Sequence, residues 1–108
     1  MAWRCRCDTT RDDVHGWWIY AEDNVLTAWS GETYDSQASA RLACESFKAL
    51  VATCTIQIDE DNSGNLRWSA YALNGQKIGT SGFSFASRAS AKRAVRDVRA
   101  HGPVASSP

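Results

Sequence analysis

Apolar and polar residues alternate along Trp3, Cys5 and Cys7, and the alternation returns along Cys54, Ile56 and Ile58. A period of two sends successive side chains to opposite sides of an extended chain, so each stretch predicts a strand with one buried face. A second pair of strands follows, with Trp17, Ile19 and Ala21 on one face, matched later by Leu66, Trp68, Ala70 and Ala72. These end at Asp23-Asn24 and Asn74-Gly75, residue pairs that favour hairpin turns because they tolerate positive φ at both turn positions. Third strands are expected at about Val25 to Ser30 and Gln76 to Ser81. The period then changes to that of a helix: Ala40, Ala43, Cys44 and Phe47 share one face over 37–50, and Ala91, Ala94, Val95 and Val98 share one over 88–100. Ser36 and Ser87 precede these runs as N-caps.

The matched patterns are one pattern written twice. Without a gap, each residue aligns with the one 51 positions later: Asp8 with Asp59, Trp17 with Trp68, Tyr20 with Tyr71, Ser30-Gly31 with Ser81-Gly82, and Ala38-Ser39-Ala40 with Ala89-Ser90-Ala91. A self-similarity of this length marks a repeat architecture. The expected fold is α+β: a tandem duplication of a β3-α(-β) unit, forming one antiparallel sheet with two helices packed on one face. Repeat one covers 3–50, repeat two 54–101, and 102–108 is read as a flexible, proline-flanked tail. At 108 residues the chain suits a single domain with one shared core.

The alignment also weighs the four cysteines. Cys5 pairs with Ile56, Cys7 with Ile58, Cys44 with Val95 and Cys54 with Trp3. Since every counterpart is apolar, the thiols are expected to be reduced, metal-free packing residues. Cys5-x-Cys7 lacks the knuckle spacing of a structural zinc site, and neighbours on one strand face are too far apart to bridge to each other.

The run Leu66-Arg67-Trp68-Ser69-Ala70-Tyr71-Ala72-Leu73-Asn74-Gly75, followed by Ile78, Thr80-Ser81-Gly82, Phe85, Ser87 and Val98, resembles the YegP-like family of small uncharacterised proteins, also called UPF0339. The first half keeps Trp17, Ala21, Ser30-Gly31-Glu32, Tyr34 and Ser36 of the same pattern. The resemblance implies a β3-α-β unit used as a homodimer of single copies or as a tandem pair, with C-terminal strands exchanged into one continuous sheet. It brings no activity, cofactor or catalytic residue.

Twelve basic residues balance twelve acidic ones, so no global field draws the chain to nucleic acid or an anionic membrane. The N-terminal residues show no leader pattern and no apolar run is long enough to span a bilayer, so the chain is expected in the cytoplasm and away from membranes. His15 lies near Asp12 and Asp13 in the first hairpin, and His101 ends the second helix; neither has a partner that signals acid-base catalysis. Asp59-Glu60-Asp61-Asn62-Ser63-Gly64 begins like a calcium loop, but its twelfth position is Ala70 where a bidentate Glu is needed, so it reads as an acidic turn. Phosphate-cradling glycine motifs are absent. The chain is therefore expected not to be an enzyme and to use no cofactor.

Two surface features remain. On the strand faces opposite the helices, Trp18, Tyr20, Trp29 and Tyr71 form the expected site for a protein partner, centred on the first repeat because Ser69 and Thr80 replace Trp18 and Trp29 in the second. The alternative is nucleic-acid contact through a basic stripe of Arg88, Lys92, Arg96 and Arg99, flanked by Arg93. The molecule is read as a monomeric pseudo-dimer or a homodimer.

Overall fold

The computed structural model of the protein describes residues 3–9 and 14–106. Its elements are β1 (Arg4–Thr9), β2 (His15–Tyr20), β3 (Leu26–Trp29), α1 (Gln37–Leu50), β4 (Thr55–Glu60), β5 (Leu66–Tyr71), β6 (Lys77–Ser81), α2 (Arg88–His101) and a 3-10 turn at Gly102–Val104. Each element of the first half begins 51 residues before its counterpart, and local irregularities follow the same offset. A bulge separates Ile19 from Tyr20 and Ala70 from Tyr71, and isolated bridges join His15 to Tyr34 and Leu66 to Phe85. The serine caps act as the sequence predicts: Ser36 and Ser87 accept from Ser39 N and Ser90 N, each at 3.1 Å, satisfying a helix N–H that has no partner within the helix.

Among the described residues the strands form one antiparallel sheet in the order β1-β2-β3-β6-β5-β4. The two three-stranded halves meet edge to edge where Ala28 pairs with Ser81 and Trp29 with Thr80. Both helices cover the same face, α1 over β1, β2 and β6, and α2 over β3, β4 and β5. Trp17, Trp68, Ile19, Phe47 and Val98 are fully buried between the layers. Phe47 sits between the two tryptophans, its ring centroid 4.7 Å from that of Trp17 and 6.5 Å from that of Trp68. Its ring covers Gly79 so closely that a side-chain carbon there would collide with it. Close packing of this kind leaves no spare volume.

Three expectations change. The hairpin turns take positive φ at one residue each, Asn24 (68°) and Gly75 (84°), while Asp23 and Asn74 stay in the ordinary region. Ala21 N donates to Val25 O and Asn24 N to Ala21 O, the signature of a type I turn closed by a left-handed residue rather than a two-residue primed turn. The cysteines are not all reduced: Cys5 and Cys44 are joined by a disulfide, while Cys7 and Cys54 are free. The reason lies in the packing that the alignment identified. Cys5 on the inner face of β1 and Cys44 on the inner face of α1 belong to one core cluster, and two thiols held in contact form a disulfide once an external two-electron oxidant accepts their electrons. Finally, residues 102–106 fold back rather than trailing away as a tail. Gly102 and Ala105 are buried, Cys5 N donates to Ser106 O at 2.7 Å, and Ser106 N donates to Trp3 O at 2.9 Å. This parallel bridge to Arg4 covers the start of the β1 edge, whose backbone groups would otherwise be unpaired.

Candidate interaction surface

Strand alternation puts one residue of every strand into a single row on the face away from the helices. Reading the cross-strand pairs in order, this row is Arg6, Trp18, Trp29, Thr80, Ser69 and Gln57. Trp18 and Trp29 are direct cross-strand neighbours, an arrangement that lets large rings pack side by side. Both remain half-exposed, and among the described residues no helix covers them. Ser69 and Thr80, at 9 % and 6 % exposure, form the recessed half of the row. The Thr80 hydroxyl donates to Trp68 O at 2.9 Å, so this recess has a polar group already satisfied within the sheet.

Tyr20 and Tyr71 lie on the same face, each half-exposed, but the four predicted aromatics do not form one patch. Tyr71 pairs with Thr55 and Lys77 in the other half of the sheet. The Arg4 guanidinium carbon stands 5.1 Å from the Tyr20 ring centroid, within cation-π range. A shallow depression of about 310 Å³ lies between Trp18, Leu26, Trp29, Arg67 and Gly82. Its floor depends on Gly82, where any side chain would overlap the Leu26 carbonyl. The sequence reading omitted Arg4, Arg6, Leu26, Arg67 and Lys77 from this face. The alternation that selected Tyr71 also selects Arg67. Leu26 was hidden because the bulge after Ile19 shifts the parity of β3.

Trp18 is half-buried: the edge of its indole stands over Gly16, where an added carbon would meet it at 3.0 Å. Trp17 and Trp68 point inward at full burial, as the alternation requires.

The basic stripe on α2 divides. Arg88, Lys92, Arg93 and Arg96 are exposed. Arg99 instead reaches back across the molecule, donating to Val51 O at 3.0 Å and Ala52 O at 3.3 Å, where it satisfies carbonyls at the end of α1. His101 is likewise engaged, stacked on Trp3 with centroids 5.1 Å apart, and His15 Nδ1 lies 3.0 Å from Thr9 Oγ1. Asp12 and Asp13 lie outside the described residues. Asp61 serves its own turn, accepting from Ser63 N and Asn65 N at 2.9 Å. Among the described residues no group of three metal-binding side chains converges. Burial pushes the free Cys7 and Cys54 thiols above their usual range, against the opposing effect of Arg41 and Arg99 respectively; both are protonated at neutral pH and poor ligands or nucleophiles in that form. No helix of the described chain is long and apolar enough to cross a membrane.

Comparison with known proteins places this geometry. Residues 61–107 match a family described as Domain of unknown function (DUF1508). No curated protein matches the chain. The solution structure of yegP from E. coli, a protein of unknown function, superposes with a TM-score of 0.80 at 21 % identity, covering 99 % of this chain and 91 % of that one. A UPF0339 protein from Shewanella oneidensis, SO3888, gives 0.80 at 17 % identity over 99 % of this chain and 90 % of its own. The YegP-like resemblance therefore holds, in sequence through the second half and in fold through the whole.

Proposed function

We propose that the chain is a non-catalytic interaction module that offers the uncovered sheet face to a protein partner. The observation that carries this reading is the half-exposed Trp18–Trp29 pair at the centre of a face on which the described chain lays no helix. Tryptophans of this kind are the side chains that dominate interface energies once a partner removes them from water. Arg6 on one side and Arg67 on the other supply polar groups at the margin of the apolar centre, the layout of a protein interface.

The test compares two tryptophans. Trp68→Ala empties a fully buried site and should cost about 3–5 kcal/mol of stability. Trp18→Ala, half-covered by Gly16 and Trp29, should cost about 1 kcal/mol and abolish retention of a protein captured by the immobilised wild-type chain. Equal retention by Trp18→Ala and wild type would sink the proposal.

A second reading rests on the exposed Arg88, Lys92, Arg93 and Arg96, whose like charges lie on adjoining turns of one helix. An anion laid over them would relieve their mutual repulsion. Nucleic-acid contact at this helix predicts oligonucleotide binding that falls steeply with added salt, and the loss of Arg99 to the α1 terminus reduces the stripe available for it.

A further inference from the structure

We infer that the partner which fits the uncovered sheet face is a second copy of this chain, packed face to face about a two-fold axis that runs along the strands between β3 and β6. The inference rests on the reading of this face as an interaction surface and names its occupant.

The shape of the face carries the argument. Its two halves descend from matching positions, yet one half is bulky and the other recessed: Trp18 and Trp29 stand where the second half has Ser69 and Thr80. Of the two in-plane two-fold axes that lay strand on strand, one makes such a surface complementary to itself. A two-fold axis along the strands lays β1 of one copy over β4 of the other, β2 over β5 and β3 over β6, while preserving each residue's height along the sheet. Trp18 then faces Ser69 of the second copy and Trp29 faces Thr80, twice over, because the interface is isologous. The other in-plane axis, across the strands, stacks Trp18 on Trp18 and leaves Ser69 over Ser69, a gap that close packing does not tolerate.

The neighbouring row agrees independently. Register places Arg4, Tyr20 and Leu26 at one height in the first half, and Arg67 and Asp59 at the same height in the second, with Gly82 next to them. The same axis sets Arg4 against Asp59 and Tyr20 against Arg67. Opposite charges and a cation over a ring are each favourable. Aligned sheets pack with a rotation of roughly 30°, which leaves the tryptophan pairs near the axis in opposition and offsets Arg4 and Asp59, on the outermost strands, by a distance comparable to the reach of an arginine side chain. Six strands at about 4.8 Å and about six residues per strand give a face near 600 Å² per copy. That stands at the lower limit for a specific interface, so the dimer is weak and reversible.

Sedimentation of the full chain over a concentration series reaching the millimolar range tests the idea. Wild type should dimerise reversibly, and Trp18→Ala or Ser69→Trp should each raise the dissociation constant at least about tenfold, with folding checked by circular dichroism. A charge test does not depend on those variants. Arg4→Asp alone and Asp59→Arg alone each place like charges in opposition twice and should be monomeric, whereas mixing the two restores both opposite-charge pairs and should regenerate a heterodimer. A wild-type chain that stays monomeric throughout, or a mixture that does not associate, overturns the second copy. The monomeric outcome leaves the face itself to be judged separately by whether Trp18→Ala loses the captured partner.

Discussion

Ser30 and Ser81 occupy matching positions at the ends of β3 and β6, and both are buried, but their hydroxyls have different fates. Ser30 Oγ donates to Glu32 O at 2.6 Å; Ser81 Oγ is buried and, among the described residues, has no partner. An unpaired buried hydroxyl has lost its hydration for nothing in return. Ser81→Ala should therefore be neutral or slightly stabilising, while Ser30→Ala should cost about 1 kcal/mol, a difference that urea denaturation resolves. Titration gives a second prediction at this scale. Burial raises the Cys7 and Cys54 thiols, and burial together with Glu32 raises the Tyr34 phenol. A raised value means that the folded chain holds these protons more tightly than the unfolded chain. Their contribution is thus fully present below the ordinary thiol value of about 8.5 and is lost as pH climbs through the folded values. The urea midpoint should fall as pH rises above about 8.5, where the thiols of the unfolded chain begin to ionise before those of the folded one. A flat profile over this window would contradict the assignment.

At the scale of elements, the helices were readable in the chain because their signals are local. A serine cap, a polar face and apolar residues at the helical period need only one turn of neighbours. The hairpins were readable in place but not in type, since a type I turn with one left-handed residue and a primed turn share the same residue preferences. Arg99 shows a different limit. Its position on the basic stripe is correct, yet its guanidinium serves a helix end that lies 48 residues away in sequence. Arg99→Met keeps the aliphatic packing and removes the donors, and should cost about 1 kcal/mol. Arg96→Met, on the exposed part of the same helix, should change stability by less than about 0.5 kcal/mol. Parallel denaturation curves of the two variants check the contrast.

For the whole molecule, the Cys5–Cys44 bond spans a sequence separation of 39 and ties β1 to α1. Closing a loop of that size restricts the unfolded chain, a restraint worth about 2–4 kcal/mol. Reductant should lower the melting temperature, and Cys44→Val, which copies Val95 of the other half, should become insensitive to reductant; calorimetry with and without dithiothreitol distinguishes the two. Repeats and periods along the chain encode six strands, two helices, which side of each strand faces inward, and which positions correspond between halves. Those are properties of nearest neighbours along the chain and of the 51-residue register. Which distant groups meet was settled by the folded chain alone. It joined β3 to β6, brought Cys5 against Cys44, turned Arg99 to the end of α1, drew Ser106 to the edge of β1 and assembled one residue from each strand into the tryptophan-bearing row. Each of these depends on contacts closed across long stretches of chain, where shape and the satisfaction of buried polar groups choose among partners that sequence periodicity leaves equivalent.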